Sequence, residues 1–290
     1  MDPLSSSPKP PEAHVRRREA PIGIFDSGIG GLTVAGAVRR LLPEESVLYV
    51  GDLARLPYGG RSPETVQRYS FEISEHLLER GAKAIVVACN TASAVAVALL
   101  QLRLPVPVLG VIGPGAAAAV ASTRRGRVGV IGTRATITSG AYEKAIHQLN
   151  PAIEVQSVAC PLLVPFIEEG LLDDPLTEQV LRRYLDPMLA FGMDTLVLGC
   201  THYPLLKPLI RRVLGPEITL VDSAQNCALA LRDLLANEGL AAEHGTSDFH
   251  VALTDRPAHF LAIAEQALEL EIASVEAVTI PFVAALHPGV

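Results

Sequence analysis

A repeated order of strands, loops and helices is the feature that most constrains the fold of this 290-residue chain. Short runs rich in Val, Ile and Leu alternate with longer segments of helical periodicity. This alternation predicts an α/β fold of mostly parallel sheets flanked by helices. The predicted helices include residues 32–42, 63–80 and 177–191. The predicted strands are residues 22–25, 47–50, 84–88, 106–110, 127–131, 154–158, 195–198, 218–221, 250–253 and 277–280.

The loops that follow the strands repeat as well. The matching pairs are IGIFDSG (22–28) with VGVIGTR (128–134), RLPYG (55–59) with LVPFI (163–167), and ACNTAS (88–93) with GCTHYP (199–204). They occur in the same order at nearly equal separations, which favours a duplicated unit over the general self-similarity of α/β proteins. We predict two domains related by a pseudo-twofold axis. Because parallel sheets bind ligands at the carboxyl ends of their strands, we expect the active site in the cleft between the domains.

Two cysteines occupy matching places in the last pair of motifs. Cys89 and Cys200 each lie where a predicted strand meets a predicted helix. The free N–H groups at the N-terminus of a helix attract carboxylates and lower the pKa of a nearby thiol. A cysteine can remove or deliver a proton, so two thiols on opposite faces of a carbon, each about 3–3.5 Å away, can invert it. A single buried cysteine is usually a small packed hydrophobe. The matched pair favours catalysis, whereas Cys160 and Cys227 have no such partner and are predicted to be structural.

Composition and charge exclude several classes of function. A net charge of −7 argues against general nucleic-acid binding. Four cysteines without a CxxC pair predict neither a disulfide scaffold nor a metal site, and they indicate a reducing, cytoplasmic environment. The uncharged segment 84–102 contains interior polar residues and divides into strand, turn and helix, so we do not predict a membrane span. The two cysteine motifs contain no Lys or Arg, which predicts a carboxylate site made of backbone N–H groups and hydroxyls.

The loop DSGIGG, residues 26–31, superficially resembles a dinucleotide-binding fingerprint. Thr33 stands where the third glycine is expected, and Asp26 places a carboxylate where a pyrophosphate would approach. These departures disfavour a nucleotide-binding oxidoreductase. We expect no pyridoxal phosphate either, because that cofactor needs a Schiff-base lysine and no lysine lies in a motif loop.

These motifs resemble those of the bacterial glutamate racemases, which are cofactor-independent enzymes of the aspartate/glutamate racemase superfamily. The resemblance extends over about residues 21–225 in the order of the family. The motifs are FDSGIGGLTV (25–34), GDLARLPYGGRS (51–62), ACNTASA (88–94), GTRATITS (132–139), CPLLVPFIEEG (160–170), LGCTHYPLL (198–206) and VDSA (221–224).

The resemblance implies a reaction and a set of site residues. It implies that L- and D-glutamate are interconverted by two bases without cofactor or metal, which supplies D-glutamate for peptidoglycan. Cys89 would act on the Cα proton of the D-enantiomer and Cys200 on that of the L-enantiomer. Asp26, Glu168 and His202 would assist, Glu168 being preferred to Glu169 by its spacing from Cys200. The implied substrate contacts are Asp26, Ser27, Tyr58, Gly59, Asn90, Thr91, Thr133, Thr136, Thr201 and His202.

The predicted organisation has three parts. Residues 1–20 form a flexible extension, residues 21–114 with 225–290 the first α/β domain, and residues 115–224 the second. The resemblance also implies a homodimer and a peptidoglycan precursor as an activator. Two other functions stay open from the sequence: an aspartate racemase or related thiol-pair isomerase, and a binding protein that keeps a racemase-like cleft without catalysis.

Overall fold

The computed structural model describes residues 18–243, 245–255 and 275–281. Most of the predicted N-terminal extension therefore lies outside the described residues. The strands are β1 (Ile22–Asp26), β2 (Val47–Gly51), β3 (Ala84–Val87), β4 (Val108–Gly110), β5 (Arg127–Gly132), β6 (Glu154–Ala159), β7 (Thr195–Gly199), β8 (Thr219–Asp222), β9 (Phe249–Leu253) and β10 (Val275–Ala277). The helices are α1 (Leu32–Leu41), α2 (Pro63–Glu79), α3 (Asn90–Arg103), α4 (Ile112–Ser122), α5 (Arg134–Thr138), α6 (Ala141–Leu149), α7 (Leu163–Glu168), α8 (Pro175–Phe191), α9 (Lys207–Leu214) and α10 (Ser223–Asn237).

The strands form two sheets with the same internal order. The first sheet runs β10-β9-β2-β1-β3-β4 and the second runs β6-β5-β7-β8. Every strand pair in the described residues is parallel. The order β2-β1-β3-β4 of one sheet thus recurs as β6-β5-β7-β8 in the other, so the repeated loops belong to equivalent strands. The α/β class with parallel sheets is confirmed, and the domain boundaries stay a prediction.

Most predicted elements match within one or two residues, and the exceptions have local causes. Strand β4 begins at Val108 rather than at residue 106, because Pro107 has no N–H for a strand ladder. Helix α8 begins at Pro175, two residues before the predicted start, since Asp174 accepts a hydrogen bond from Leu176 N and caps the helix. Strand β10 begins two residues before the predicted range 277–280 and ends three residues before the end of that range, because it pairs where β9 offers partners.

The two sheets share a hydrophobic core that fixes their relative position. Helix α1, which follows β1, packs against α10, which follows β8. Val38 of α1, Leu231 of α10 and Leu198 of β7 belong to one buried cluster. The loops at the carboxyl ends of both sheets therefore face each other across a cleft. No helix among the described residues is long and apolar enough to cross a membrane.

At the amino ends of the first sheet, the buried Lys83 ammonium pairs with the Glu45 carboxylate and donates to the carbonyl of Arg18. The other carboxylate oxygen of Glu45 accepts from Ala242 N at 2.8 Å. Burial lowers the pKa of Lys83, although its bond with Glu45 opposes this effect. The pair joins four segments of the chain, around residues 18, 45, 83 and 242, at the base of the first sheet.

We expect Glu45→Gln to lower the free energy of unfolding by about 3 kcal/mol, because it leaves a buried ammonium without its counter-charge. Urea denaturation measures this change. The matched control is Glu44→Gln at the adjacent exposed position, where a change within about 0.5 kcal/mol is expected. Equal losses in the two variants would contradict the role given to the buried pair.

Candidate active site

A cavity of about 410 Å³ lies between the carboxyl ends of the two sheets. The loops after β1, β2 and β3 form one wall, and those after β5, β6 and β7 form the other. The lining residues are Ser27, Gly28, Leu56, Pro57, Tyr58, Gly59, Gly60, Cys89, Asn90, Thr91, Thr133, Arg134, Cys160, Pro161, Val164, Pro165, Glu168, Cys200, Thr201 and His202. Both cysteines of the matched motifs therefore line the same cavity.

The loop after β1 is organised around the Asp26 carboxylate. Asp26 is fully buried and accepts hydrogen bonds from Gly28 N and Gly31 N, each at 3.1 Å. Thr201 of the second half donates its hydroxyl to the same carboxylate at 3.4 Å. Burial raises the pKa of Asp26, while the charge of His202 and these hydrogen bonds oppose the rise. The N–H groups that would bind a phosphate in a dinucleotide loop are thus taken by the carboxylate of the protein itself.

Cys89 lies in the first wall at the N-terminus of α3. Its sulfur is 3.6 Å from Ser27 Oγ. Burial, together with the negative charge of Asp26, raises the pKa of the Cys89 thiol to about 12. A thiol with so high a pKa keeps its proton at neutral pH and can deliver it.

Cys200 lies in the second wall with a different set of neighbours. His202 Nδ1 is 3.9 Å from Cys200 Sγ, and His202 Nε2 is 3.2 Å from Glu168 Oε1. Burial by itself would lower the pKa of His202, but its bonds with Cys200 and Glu168 prevail and raise that pKa to about 10. Glu169 is exposed, so of the two adjacent glutamates it is Glu168 that contacts the histidine.

The loop after β1 also contacts this histidine directly. A Cβ atom on Gly30 would lie 2.5 Å from His202 Nδ1, so the position tolerates no side chain. Thr33, at the start of α1, donates its hydroxyl to the carbonyl of Thr201 at 3.3 Å. These contacts hold the Cys200–His202 loop of one half against the first strand loop of the other.

Hydroxyl and amide groups cover the remaining polar wall. Thr91 Oγ1 lies 2.9 Å from Thr133 Oγ1 and 3.3 Å from Thr136 Oγ1, which joins the two halves. Asn90 accepts a hydrogen bond from the Tyr142 hydroxyl at 2.7 Å. The buried Nδ2 of Asn90 has no partner within the described part of the chain. It can donate to a carboxylate bound in the cavity.

The structure brings together nearly all site residues that the sequence predicts. All of them line the cavity except Asp26 and Thr136, which lie directly behind the lining and hydrogen-bond to it. Sequence reasoning missed Arg134 and Cys160. Arg134 lies inside the motif GTRATITS and adds a cationic side chain to a wall predicted to have none. Cys160 follows β6, at the same edge of the sheet as Cys200 follows β7. This position after a predicted strand could have identified Cys160 as a cavity residue from the sequence.

Two thiols that line one cavity from opposite walls are the arrangement expected of a racemase that moves a proton between the two faces of a carbon. A sequence profile of the Asp/Glu/Hydantoin racemase family matches residues 33–231. The glutamate racemase of Geobacter metallireducens is 50% identical over 260 residues, which are 89% of this chain and 96% of that protein. The chain therefore belongs to the glutamate racemase family.

Solved structures agree with this membership. The glutamate racemase from Francisella tularensis, in complex with D-glutamate, has a TM-score of 0.85 at 38% identity, covering 91% of this chain and 98% of that one. The Escherichia coli glutamate racemase, in complex with L-glutamate and the activator UDP-MurNAc-Ala, has a TM-score of 0.75 at 29% identity, covering 90% and 99%.

The raised pKa of His202 predicts a pH-dependent stability. A group whose pKa rises on folding, here from 6.5 to about 10, stabilises the protein fully below the lower value. That contribution is lost as the pH rises through the higher value. We expect the difference in free energy of unfolding between the wild type and His202→Gln to be largest near about pH 6 and to shrink towards about pH 10.

Urea denaturation across this pH range measures the effect. In Glu168→Gln the histidine loses one of the partners that raise its pKa, so the decline should be smaller and should end at a lower pH than in the wild type. A difference between wild type and His202→Gln that is constant with pH would contradict the prediction.

Proposed function

We propose that this chain interconverts L-glutamate and D-glutamate by a two-base mechanism, with Cys89 and Cys200 as the proton-transferring groups. The observation that carries the proposal is the location of both thiols on opposite walls of one cavity. A proton taken from one face of Cα and returned to the other inverts the carbon. Membership of the glutamate racemase family supports glutamate as the substrate.

In the direction from L- to D-glutamate, the Cys200 thiolate removes the Cα proton and becomes a thiol. The electron pair of the broken C–H bond stays on the substrate as a carbanion. Cys89 then gives its thiol proton to the opposite face of Cα and is left as a thiolate. The step needs no oxidant and leaves the protonation states of the two cysteines exchanged, which is the state that the reverse reaction uses. Proton exchange with solvent restores the starting state before another turnover in the same direction.

The assisting groups differ on the two sides. His202 carries a proton beside Cys200 and is held by Glu168. Asp26, which hydrogen-bonds to the loop that carries Ser27, assists on the side of Cys89. The negative charge that develops on the substrate needs donors in fixed positions, because a buried site provides no water to reorganise. Asn90 Nδ2, the threonine hydroxyls and the N-terminus of α3 provide such donors.

The relatives indicate glutamate as the substrate, and the hydroxyl and amide groups of the cavity wall are suited to binding its carboxylates. The relatives named above are glutamate racemases, two of them solved with a glutamate enantiomer bound. The aspartate racemase alternative is therefore not retained. A nucleotide-binding oxidoreductase is disfavoured by the loop after β1, whose N–H groups already bind Asp26. A binding protein without catalysis would have no use for two opposed thiols, and the exchange experiment below tests for it.

The cellular role is proposed from the same membership. D-Glutamate made by this chain would supply peptidoglycan synthesis in the cytoplasm, and a peptidoglycan precursor would act as an activator, as the name of the Escherichia coli complex states for that enzyme. We also propose a homodimer, and domains that comprise residues 21–114 with 225–290 and residues 115–224. The membership of β9 in the first sheet supports the return of the chain to the first domain.

Exchange of the Cα proton in D₂O tests the two-base mechanism. The wild type should incorporate deuterium with inversion, followed by NMR and circular dichroism, without added cofactor. Cys89→Ser and Cys200→Ser should each lose racemisation by about 100-fold or more, since each lacks one proton-transfer group. Residual exchange without inversion should occur with L-glutamate in Cys89→Ser and with D-glutamate in Cys200→Ser.

The matched control is Cys227→Ser, a buried thiol outside the cavity lining, which should keep full activity. Full racemisation by either active-site variant would overturn the mechanism. Exchange with aspartate and none with glutamate would overturn the substrate. Absence of exchange with both, even with UDP-MurNAc-Ala added, would leave the binding protein as the function.

Arg134 gives a separate prediction about substrate binding. Its exposed guanidinium lies in the cavity wall and attracts the two carboxylates of glutamate. We expect Arg134→Gln to raise KM about threefold, to leave kcat nearly unchanged, and to weaken the increase of KM with salt. Arg134→Lys should keep the salt dependence. The exposed Arg125→Gln, far from the lining, is the control, and an equal change there would refute a local effect.

A further inference from the structure

Tyr58 lines the cavity, yet its hydroxyl is already engaged. The side chain is only 1% exposed, and its O–H donates to Asp52 Oδ2. Burial and the negative charge of Asp52 raise the pKa of Tyr58 well above its ordinary value, so the hydroxyl keeps its proton as a donor. What the loop offers a substrate is therefore the ring of Tyr58 and the backbone around Gly59. How well this loop binds a substrate therefore depends on the position of Tyr58 and Gly59 in the cavity wall.

Asp52 is the residue that holds it. Its carboxylate is fully buried and accepts from Tyr58 and from Arg55 Nε, the latter at 2.7 Å. Its other oxygen accepts from the Thr254 hydroxyl at 3.1 Å, and its backbone N–H donates to the carbonyl of Asp26 at 3.0 Å. The side chain of Asp52 thus ties the loop after β2 to the residue after β9, and its backbone ties the same loop to the end of β1.

The Arg55 guanidinium that balances the charge of Asp52 is shared with a second buried carboxylate. Arg55 also pairs with Glu72 of α2, and its guanidinium stacks 4.3 Å from the ring centre of Tyr69. Because Asp52 and Glu72 are almost completely buried, these bonds are poorly screened by solvent. The short helical segment Leu53–Arg55, which leads into the Tyr58 loop, is therefore held from both sides.

The far end of the loop contacts the second half of the molecule. A Cβ atom on Gly59 would lie 2.9 Å from the Cβ of Thr133. Thr133 in turn belongs to the hydroxyl cluster with Thr91. A displacement of the loop would therefore alter the width of the cavity and the polar wall on its opposite side.

We propose that Asp52 is a positioning residue for the substrate: it sets the place of Tyr58 and Gly59 through the Tyr58 hydroxyl and Arg55. The inference rests on the proposed function, since it concerns how the same cavity holds glutamate. Asp52 itself touches neither the cavity nor the thiols. It acts equally on both enantiomers, because it holds a wall of the cavity and takes no part in proton transfer.

Asp52→Ala is the first test. KM for both L- and D-glutamate should rise about 10-fold, with kcat within about twofold of the wild type, because binding is lost uniformly and the thiols keep their places. Asp52→Asn keeps an oxygen that can accept from Tyr58 or Arg55, so it should recover most of the loss. A purely structural role would lower stability without this separation of KM from kcat.

Tyr58→Phe supplies a second, milder variant that removes one hydrogen bond and leaves the Asp52–Arg55 pair intact. Its KM should rise about threefold, and adding Asp52→Ala should bring KM no higher than in Asp52→Ala alone. The matched control is Asp222→Ala. Asp222 also ends a strand, pairs with Lys207 and caps α10, but it lies outside the cavity lining. It should lower the melting temperature and leave KM unchanged.

The outcomes separate this inference from the proposed function. A wild-type protein without glutamate racemisation would overturn the function itself. An active wild type whose KM is unchanged in folded Asp52→Ala, or whose two variants are strictly additive, would overturn the role of Asp52 alone. An equal rise of KM in Asp222→Ala would do the same, since it would show a general response to lost stability.

Discussion

The structure depends on one geometric constraint: the carboxyl ends of two separate parallel sheets must face the same cavity. The functional loops of a parallel sheet lie at the carboxyl ends of its strands, so two sheets that face each other place groups on opposite faces of a small molecule. Packing of α1 on α10 joins the two sheets through a common core and turns their loop edges towards each other. Gly30 against His202, and Thr33 against Thr201, complete the contact at the level of the loops. The position of each thiol follows from this contact.

Much of the architecture was predictable because duplication leaves a readable pattern. The three pairs of similar loops follow strands that hold equivalent places in the two sheets, and the cysteine pair follows β3 and β7. The exact strand ends were less predictable, since β10 forms where β9 offers partners and not where its own sequence is most apolar. Arg134 and the Asp52–Tyr58 bond could not be read from periodicity. They depend on which side chains meet across a loop, and that is fixed only when the chain folds.

Equivalent positions in the chain do not give the two thiols equivalent chemistry. Burial and the negative charge of Asp26 raise the pKa of Cys89, whereas Cys200 lies beside the protonated His202, which Glu168 holds. In the proposed mechanism one thiol gives a proton while the other takes one, and the two thiols exchange these roles when the direction of the reaction changes. The duplicated framework gives the two thiols equivalent positions, and the side chains of the loops give each thiol different electrostatic surroundings.

The loop after β1 shows how this chemistry is separated from nucleotide binding. A glycine-rich turn between a strand and a helix ordinarily presents free N–H groups, and these favour a phosphate. Here the Asp26 carboxylate occupies that place, with Gly28 and Gly31 as donors. A second anion such as pyrophosphate would meet like charge in a buried setting, which is strongly unfavourable. The glycines that allow the tight turn also hold the Asp26 carboxylate next to Thr201, behind the lining of the cavity. The carboxylate in this loop therefore both excludes a nucleotide and provides an acid–base group.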